Sequence, residues 1–463
     1  MDIKAFHFDM KGMIPKAEFM LKLLPELSRM GYNAVLVEFE DKFPYESLPE
    51  IVHPDAWSRE EFSSFRELCG RLGMQIIPLV QCAGHLDYVL KHDKYRHLRD
   101  GNPPRETTSQ WCLADPAEPF AIWQTMTTEI LEFFPDCRYF HIGADEFNFH
   151  IPCSRCSTDE RFDLFVDHVI HCTKFVKAHG KKVIVWDDTF RKRESAKLDE
   201  LLPMVIPCVW QYLGVDEKIV EKMCAKSPEV WGASKIQNDE RYRGMGRQSA
   251  VEKNVNDWCD VLDKYPLQGH IGTIWGRNHG LSQLAATLPQ SFYMLAYLAY
   301  SLNHGKITDR EKFRQEFVRD YFGLESAEFI GKLGTEPVAA AAMLAEAGEK
   351  VSRNKEILEI YTLFNKLDSL WVYCDACFGE NYALYPKYIT NTATDELTRN
   401  FLDGVRITQE RADELKAEFR LKLGELFTPA LLEEYISSRF DGMLEINTLW
   451  GKIIRSAYNN KDL

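Results

Sequence analysis

The chain of 463 residues is too long for one average domain and long enough for a large domain plus a second unit. A hydrophobic share of 45% supports a sizeable core, and the net charge of −14 excludes nucleic acid and anionic membrane as main partners. The longest apolar stretch, Phe292 to Leu302, is shorter than the roughly 20 residues that cross a bilayer, so no membrane partner is expected.

The run Met1 to Asp9 lacks the apolar core and small-residue cleavage site of a signal peptide, and Ile3 to Asp9 reads as a first strand. Twelve cysteines without an export signal suggest reduced thiols and a cytoplasmic location. Lys16 to Met30 places Phe19, Met20, Leu23, Leu24 and Leu27 on one helix face, with Gly31 as its stop. Ala34 to Glu40 is a second strand whose nearly continuous apolar run implies cover on both faces. A helix over Glu60 to Leu72 leads to a third strand over Gln75 to Gln81. The segment Lys91 to Asp115, rich in charge and proline, reads as a long loop of the functional kind. Pro119 to Phe134 is a helix and Arg138 to Ala144 a fourth strand. Further strands are expected over Lys182 to Trp186, Met204 to Gln211, Glu229 to Ala233 and His270 to Trp275. Helices over Leu164 to His179, Glu217 to Lys226, Asn254 to Lys264 and Pro289 to Leu302 accompany them. Eight strand–helix units predict a (β/α)₈ TIM barrel over residues 1–305. Beyond it, helical periodicity runs through Arg310 to Tyr321, Ala327 to Lys332, Glu336 to Ala347, Asn354 to Phe378, Asp395 to Leu421 and Pro429 to Tyr458. Residues 306–463 are therefore expected to form an all-helical domain, a candidate homodimer surface.

The chemistry centres on Arg138-Tyr139-Phe140-His141-Ile142-Gly143-Ala144-Asp145-Glu146. This is an apolar strand that opens into two adjacent carboxylates, at the end of the strand where barrel enzymes collect their catalytic groups. Strand alternation puts His141, Gly143 and Asp145 on one face and sends Glu146 elsewhere. Gly143 and Ala144 leave room for another group to approach closely. An Asp-Glu pair at a loop can equally be the acidic start of the next helix.

The stretch His141 to Glu146 resembles the strand-four signature of the family 20 glycoside hydrolases, the β-N-acetylhexosaminidases. Phe8 to Gly12, Val37 to Tyr45, Ile77 to Gln81, Gly84-His85, Val185 to Asp188 and Trp231 to Ser234 resemble the hexosaminidase D subgroup, in the family's order. The resemblance implies an exo-acting, retaining enzyme that hydrolyses terminal β-linked GalNAc or GlcNAc and needs no cofactor and no metal. It implies substrate-assisted catalysis, an exception to the two-carboxylate scheme. The nucleophile is then the substrate's own 2-acetamido oxygen, and the intermediate is an oxazoline. Glu146 would be the general acid and base, and Asp145 would orient the acetamido group. Two neighbouring acids resist ionising together, which suits this division of roles.

Trp186, Trp210 and Trp275, at the ends of strands five, six and eight, would wall the sugar pocket. Tyr212 is a candidate donor to the acetamido oxygen, although the family usually places its pocket tyrosine after strand seven. Asp9, Glu38, Glu40 and His85 are candidates for sugar hydroxyls, and Asp188 for support on the strand-five side. Two departures leave the C4 preference open. Lys11 stands where many members have an arginine, and Arg277 stands where many have the glutamate of a Trp-x-Glu, which makes Arg277 a candidate substrate contact.

Two other readings compete. Cys153 and Cys156 form a C-x₂-C spacing near His150, His168, His171 and Cys172, the pattern of a zinc-dependent barrel hydrolase; Cys374 and Cys377 repeat it far away. A non-catalytic sugar-binding barrel would keep the tryptophans and tolerate loss of Glu146.

Overall fold

The computed structural model describes residues 1–156, 160–237, 244–277, 282–390 and 392–459, and the side chains of all of these except 378–383. Eight parallel strands close a barrel in chain order: β1 (Ile3–Asp9), β2 (Ala34–Glu38), β3 (Gln75–Leu79), β4 (Tyr139–His141), β5 (Lys182–Trp186), β6 (Val205–Trp210), β7 (Trp231–Lys235) and β8 (Gly269–Thr273), which pairs back to β1. The register sets Ala5 opposite Ala34, Val37 opposite Pro78 and Ile3 opposite Gly269. The strands are buried along nearly their whole length because the barrel interior takes one face and the helices the other. Ala5, Leu36, Leu79, Ile184, Trp186 and Trp231 belong to the interior core, where each large apolar side chain contributes about 1.5–3 kcal/mol.

Helices follow the strands, including Ala17–Met30, Arg59–Arg71, Ala117–Phe133, Arg161–Ala178 and Glu217–Lys226. The helix Arg59–Arg71 starts where Ser58 and Glu61 form a reciprocal cap.

Three strands end earlier than the apolar pattern predicts. β2 stops at Glu38 and not Glu40, β3 at Leu79 and not Gln81, and β4 at His141 and not Ala144. The cause after β2 and β4 is a left-handed backbone: Glu40 has φ 44°, Gly143 φ 68°, Ala144 φ 72° and Glu146 φ 50°. An extended chain cannot continue through such residues. The expected loop Lys91 to Asp115 is also more structured than its composition indicates. It holds a helical turn, Asp93–Leu98, and an antiparallel pair, Arg99–Asp100 with Thr107–Trp111.

The chain divides into two compact units, one of Met1–Gln237 with Ser249–Thr308, the other of Asp309–Leu463 with Asn238–Gln248. The second unit contains the helices Arg310–Phe322, Glu328–Lys332, Pro337–Lys350, Lys355–Ile389, Asp395–Leu423 and Pro429–Asn459. Rings of Phe364, Phe419, Tyr435 and Phe440 meet in its core at centroid separations of 5.6–5.7 Å. The Asp368 carboxylate accepts the N–H groups of Gly244 (2.6 Å) and Met245 (2.8 Å), which ties the excursion to this unit. The helix expected to end at Phe378 runs on to Ile389, because Leu384 beyond it is buried with Phe401 and Ile454. Among the described residues, no helix is long and apolar enough to cross a membrane.

Candidate active site

The turns beyond the strand ends gather the polar side chains of the barrel, and the left-handed residues sit among them. Asp145 and Glu146 are neighbours in sequence but point into different surroundings. Asp145 is 6% exposed, whereas the Glu146 side chain is 48% exposed. His85 spans the two, with Nε2 3.2 Å from Asp145 Oδ2 and 3.5 Å from Glu146 Oε2. Burial alone would lower the His85 pKa, but the Asp145 charge and hydrogen bonds to both carboxylates hold it well above the ordinary histidine value. The imidazolium therefore neutralises part of the charge that the two acids bring together.

Gln81, just past β3, fixes the other side of Asp145. Its Nε2 donates to Asp145 Oδ1 (3.1 Å) and to Glu38 Oε1 (3.3 Å). Gly143 makes room for this amide, since a Cβ there would lie 1.7 Å from Gln81 Oε1. Strand alternation does not carry His141 and Asp145 onto one face. His141 turns into the core beside Trp186, ring centroids 4.3 Å apart, and its Nδ1 accepts the Gly143 N–H at 2.9 Å. Burial depresses the His141 pKa to about 3, so this ring is neutral.

Asp188, after β5, holds the backbone beneath the pair. Its Oδ2 accepts the Glu146 N–H (3.1 Å) and its Oδ1 accepts the Trp210 Nε1–H (3.1 Å). Burial first, and the Asp145 charge second, raise Asp188 to about 6. Its neighbour Asp187 accepts the Trp210 N–H at 3.2 Å and is pushed by burial to about 7.

On the opposite side, Lys11 lies in a buried carboxylate cage. Its Nζ is 2.7 Å from Glu38 Oε2 and 3.1 Å from Asp9 Oδ1, and 5.0 Å above the Trp275 ring. His7 Nε2 adds a contact to Glu38 Oε2 at 3.2 Å. Burial opposes ionisation of Glu38, yet Lys11 and His7 hold it far below the carboxylate range. Glu40, also buried, goes the other way: burial and the charges of Glu38, Asp41 and Asp9 push it well above that range, against the pull of Lys11. One face of the mouth thus holds a charged pair and a neutral acid side by side. His7, Asp9 and Glu38 could also hold a metal ion, but the Lys11 ammonium takes the cation's place there.

With this geometry in place, the family model described as the glycosyl hydrolase family 20 catalytic domain matches residues 19–270, more than half of the chain. The chain belongs to glycosyl hydrolase family 20. It is a glycoside hydrolase of the β-N-acetylhexosaminidase class. Among its relatives, hexosaminidase D of Homo sapiens is 29% identical over 372 residues, covering 73% of this chain and 72% of that protein. Hexosaminidase D of Bos taurus is 27% identical, over 70% of this chain and 98% of that one. The crystal structure of a β-N-acetylhexosaminidase from Bacteroides fragilis shares the fold at 15% identity and TM-score 0.50, over 64% of this chain and 65% of that chain.

In this family 20 barrel the aromatic residues do not stand equally. Trp186 is fully buried, with its ring 5.8 Å from Trp275, and lies in the interior core. Trp210 and Trp275 are only partly buried and pack against that core. Trp275 Nε1 donates to the Tyr212 hydroxyl at 2.9 Å, and Tyr212 stacks beside Trp210 with centroids 5.0 Å apart. These three rings form one wall. Arg277 is a clip between loops: its Nε donates to the Lys11 carbonyl (3.1 Å) and its Nη1 to the Ser282 carbonyl (2.6 Å). Gln81, His7 and Asp187 carry structural weight that the sequence reading did not assign, although each is a polar residue in or beside an apolar strand.

The zinc reading is redrawn by the structure. His168 turns away, its Nε2 2.8 Å from the Cys82 carbonyl, and Cys172 lies 3.7 Å from that ring. Cys153 and Cys156 meet Cys112 and Asp100 instead, two residues the spacing did not single out.

Proposed function

We propose that this enzyme removes terminal β-linked GalNAc or GlcNAc from glycans with retention at C1, through the substrate's own acetamido group. The observation that carries the reading is the divergence of Asp145 and Glu146: one carboxylate is enclosed, the other faces the solvent. Asp145, held by Gln81 and His85, accepts the acetamido N–H and turns the acetamido oxygen onto C1. The oxygen displaces the aglycone as Glu146 protonates the glycosidic oxygen. Glu146 then takes a proton from the water that opens the oxazoline ring. No enzyme nucleophile is needed, so no fixed separation between two carboxyls is required. The positive charge that spreads over the acetamido group is met by Asp145, which is aimed before the substrate arrives.

The remaining strand-end residues suit a sugar. Tyr212 and Trp275 lie where the acetamido group would be held, and Trp210 closes that side, with Trp186 beneath them. Asp188 positions Glu146 through the backbone. Asp9, Lys11, Glu38 and the protonated Glu40 offer both acceptors and donors to ring hydroxyls, and Arg277 positions the Lys11 loop. All twelve cysteines are free thiols, which supports a cytoplasmic enzyme.

Turnover of nitrophenyl β-GalNAc and β-GlcNAc by the wild type and Glu146→Gln tests the reading. A positioned general acid is worth about 10²–10⁴ in rate, so the variant should lose that factor while remaining folded. The matching glycoside with a 2-hydroxyl in place of the acetamido group should not be turned over. Equal turnover of both glycosides would refute substrate assistance, and an active Glu146→Gln would refute the acid. The same preparation, on a sizing column with light scattering, reads whether the chain forms the homodimer expected of the helical domain.

A further inference from the structure

We propose that Cys112, Cys153, Cys156 and Asp100 form a structural Zn²⁺ site that locks the two loops following β3 and β4. This site is separate from the carboxylate pair and independent of how that pair acts. One ligand atom from each of the four residues lies within 4.8 Å of every other, and all four residues are buried. Three sulfurs and one carboxylate oxygen make a soft, tetrahedral set, which selects zinc over magnesium or calcium. The spacing agrees with that geometry. Zinc–sulfur bonds of about 2.3 Å put tetrahedral ligands about 3.8 Å apart, and Cys112 Sγ lies 3.7 Å from Cys153 Sγ. Cys156 Sγ lies 3.4 Å from Asp100 Oδ1. The chain arrangement also fits: Cys153 and Cys156 form the C-x₂-C turn, and Cys112 comes in from the end of the Thr107–Trp111 strand.

The carboxylate is prepared as a ligand. Its Oδ2 accepts from Gln110 Nε2 (2.6 Å) and pairs with Arg161 Nη2, which leaves Oδ1 turned to the sulfurs, where it also accepts the Gly101 N–H at 2.8 Å. Such outer partners orient metal ligands and tune them. The Arg161 guanidinium also offsets the surplus negative charge of three thiolates and a carboxylate around a dication. Cysteines buried only as small apolar groups would not turn their sulfurs toward one another and toward a carboxylate.

The site reaches toward the reaction centre through Gln110. This side chain donates to the Asn148 carbonyl (3.1 Å) and accepts the Asn148 N–H (2.8 Å), two residues beyond Glu146. Arg161 Nη1 holds the carbonyls of Phe149 (3.2 Å) and Ile151 (2.7 Å). A metal that fixes Asp100 therefore fixes the loop leaving the carboxylate pair.

Elemental analysis of the full chain, purified under reducing conditions with no metal-affinity step, tests the proposal. Wild type and a Cys69→Ala control should carry about one zinc per chain, and Cys153→Ser/Cys156→Ser should carry none above background. Protein stripped by chelator and refilled with Co²⁺ should show the thiolate-to-cobalt charge-transfer band and the intense visible bands of a tetrahedral site. Its melting temperature should fall on stripping and return with Zn²⁺. If the double variant does not fold, the wild-type stoichiometry and the cobalt spectrum decide alone. Wild type that neither carries zinc nor takes up Zn²⁺ or Co²⁺ overturns the proposal. So does a Cys112–Cys153 disulfide in the freshly reduced, metal-free protein.

Discussion

Replacing Gly143 with alanine isolates the machinery around Asp145 without touching a polar group. Gly143 has φ 68°, where alanine is disfavoured by about 1–2 kcal/mol. The new methyl would lie 1.7 Å from Gln81 Oε1 and 2.4 Å from its amide carbon, so the Gln81 amide must leave. With it goes the hydrogen bond to Asp145, worth about 1.5–3 kcal/mol for a charged acceptor. Together these amount to about 3–5 kcal/mol, which for a domain of this size lowers the melting temperature by roughly 5–10 °C. Asp145 keeps His85 but loses its second anchor, and misplacement of a catalytic group by about 1 Å can cost about 10²-fold in rate. Calorimetry and turnover of a nitrophenyl N-acetylhexosaminide measure both effects on one sample. Adding Gln81→Ala removes the collision, so the double variant should recover part of the stability and none of the rate. A Gly143→Ala enzyme with wild-type melting and turnover would refute the account of how Asp145 is held.

Lys11→Met leaves the buried Asp9 and Glu38 without their cation. It should destabilise by about 3–5 kcal/mol, partly restored by Glu38→Gln, and an unchanged melting temperature would show that the cage is not a charge pair. Asp145→Asn should lower the His85 pKa, because Asp145 is the chief group raising it; imidazole NMR titration of the two proteins reads this directly. His85 also gives stability a pH dependence. Its folded pKa lies above its unfolded value, so the folded state holds the proton more tightly. That stability is complete below about pH 6.5 and is lost as pH rises through the folded value. The stability difference between wild type and His85→Gln should therefore shrink from about pH 6.5 upward, and a difference that grew with pH would reverse the assignment.

The barrel was legible because strands buried on both faces are written as apolar runs, and each of the eight runs carries one. The position of Asp145 and Glu146 was legible for the same reason: the run Tyr139 to Ile142 marks the strand, and the acids mark its end. What the residues did not announce was the left-handed turn at Gly143 and Ala144, since an apolar run looks alike whether it extends or curls. His141 was therefore assigned to the wrong face. Gln81 was visible as part of a motif but not as the partner of Asp145, because that contact joins residues 64 positions apart. Asp100 and Cys112 escaped notice for a related reason. Only the pairing of Arg99–Asp100 with Thr107–Trp111 brings them to Cys153 and Cys156.

The residues with positive φ bear on how this enzyme would respond to selection for heat resistance. Glu40, His85, Ala144 and Glu146 all adopt a backbone that favours glycine, and all lie just past the barrel strands. A screen for survival at high temperature would be drawn to glycine at each of them, since relief of that strain raises stability. At Glu40, His85 and Glu146 the gain would remove a side chain at the mouth, and hardier clones would be poorer enzymes. At Ala144 the exchange removes only a methyl group. It is the one place among the four where robustness and turnover need not be traded, and the sensible first step in engineering this barrel.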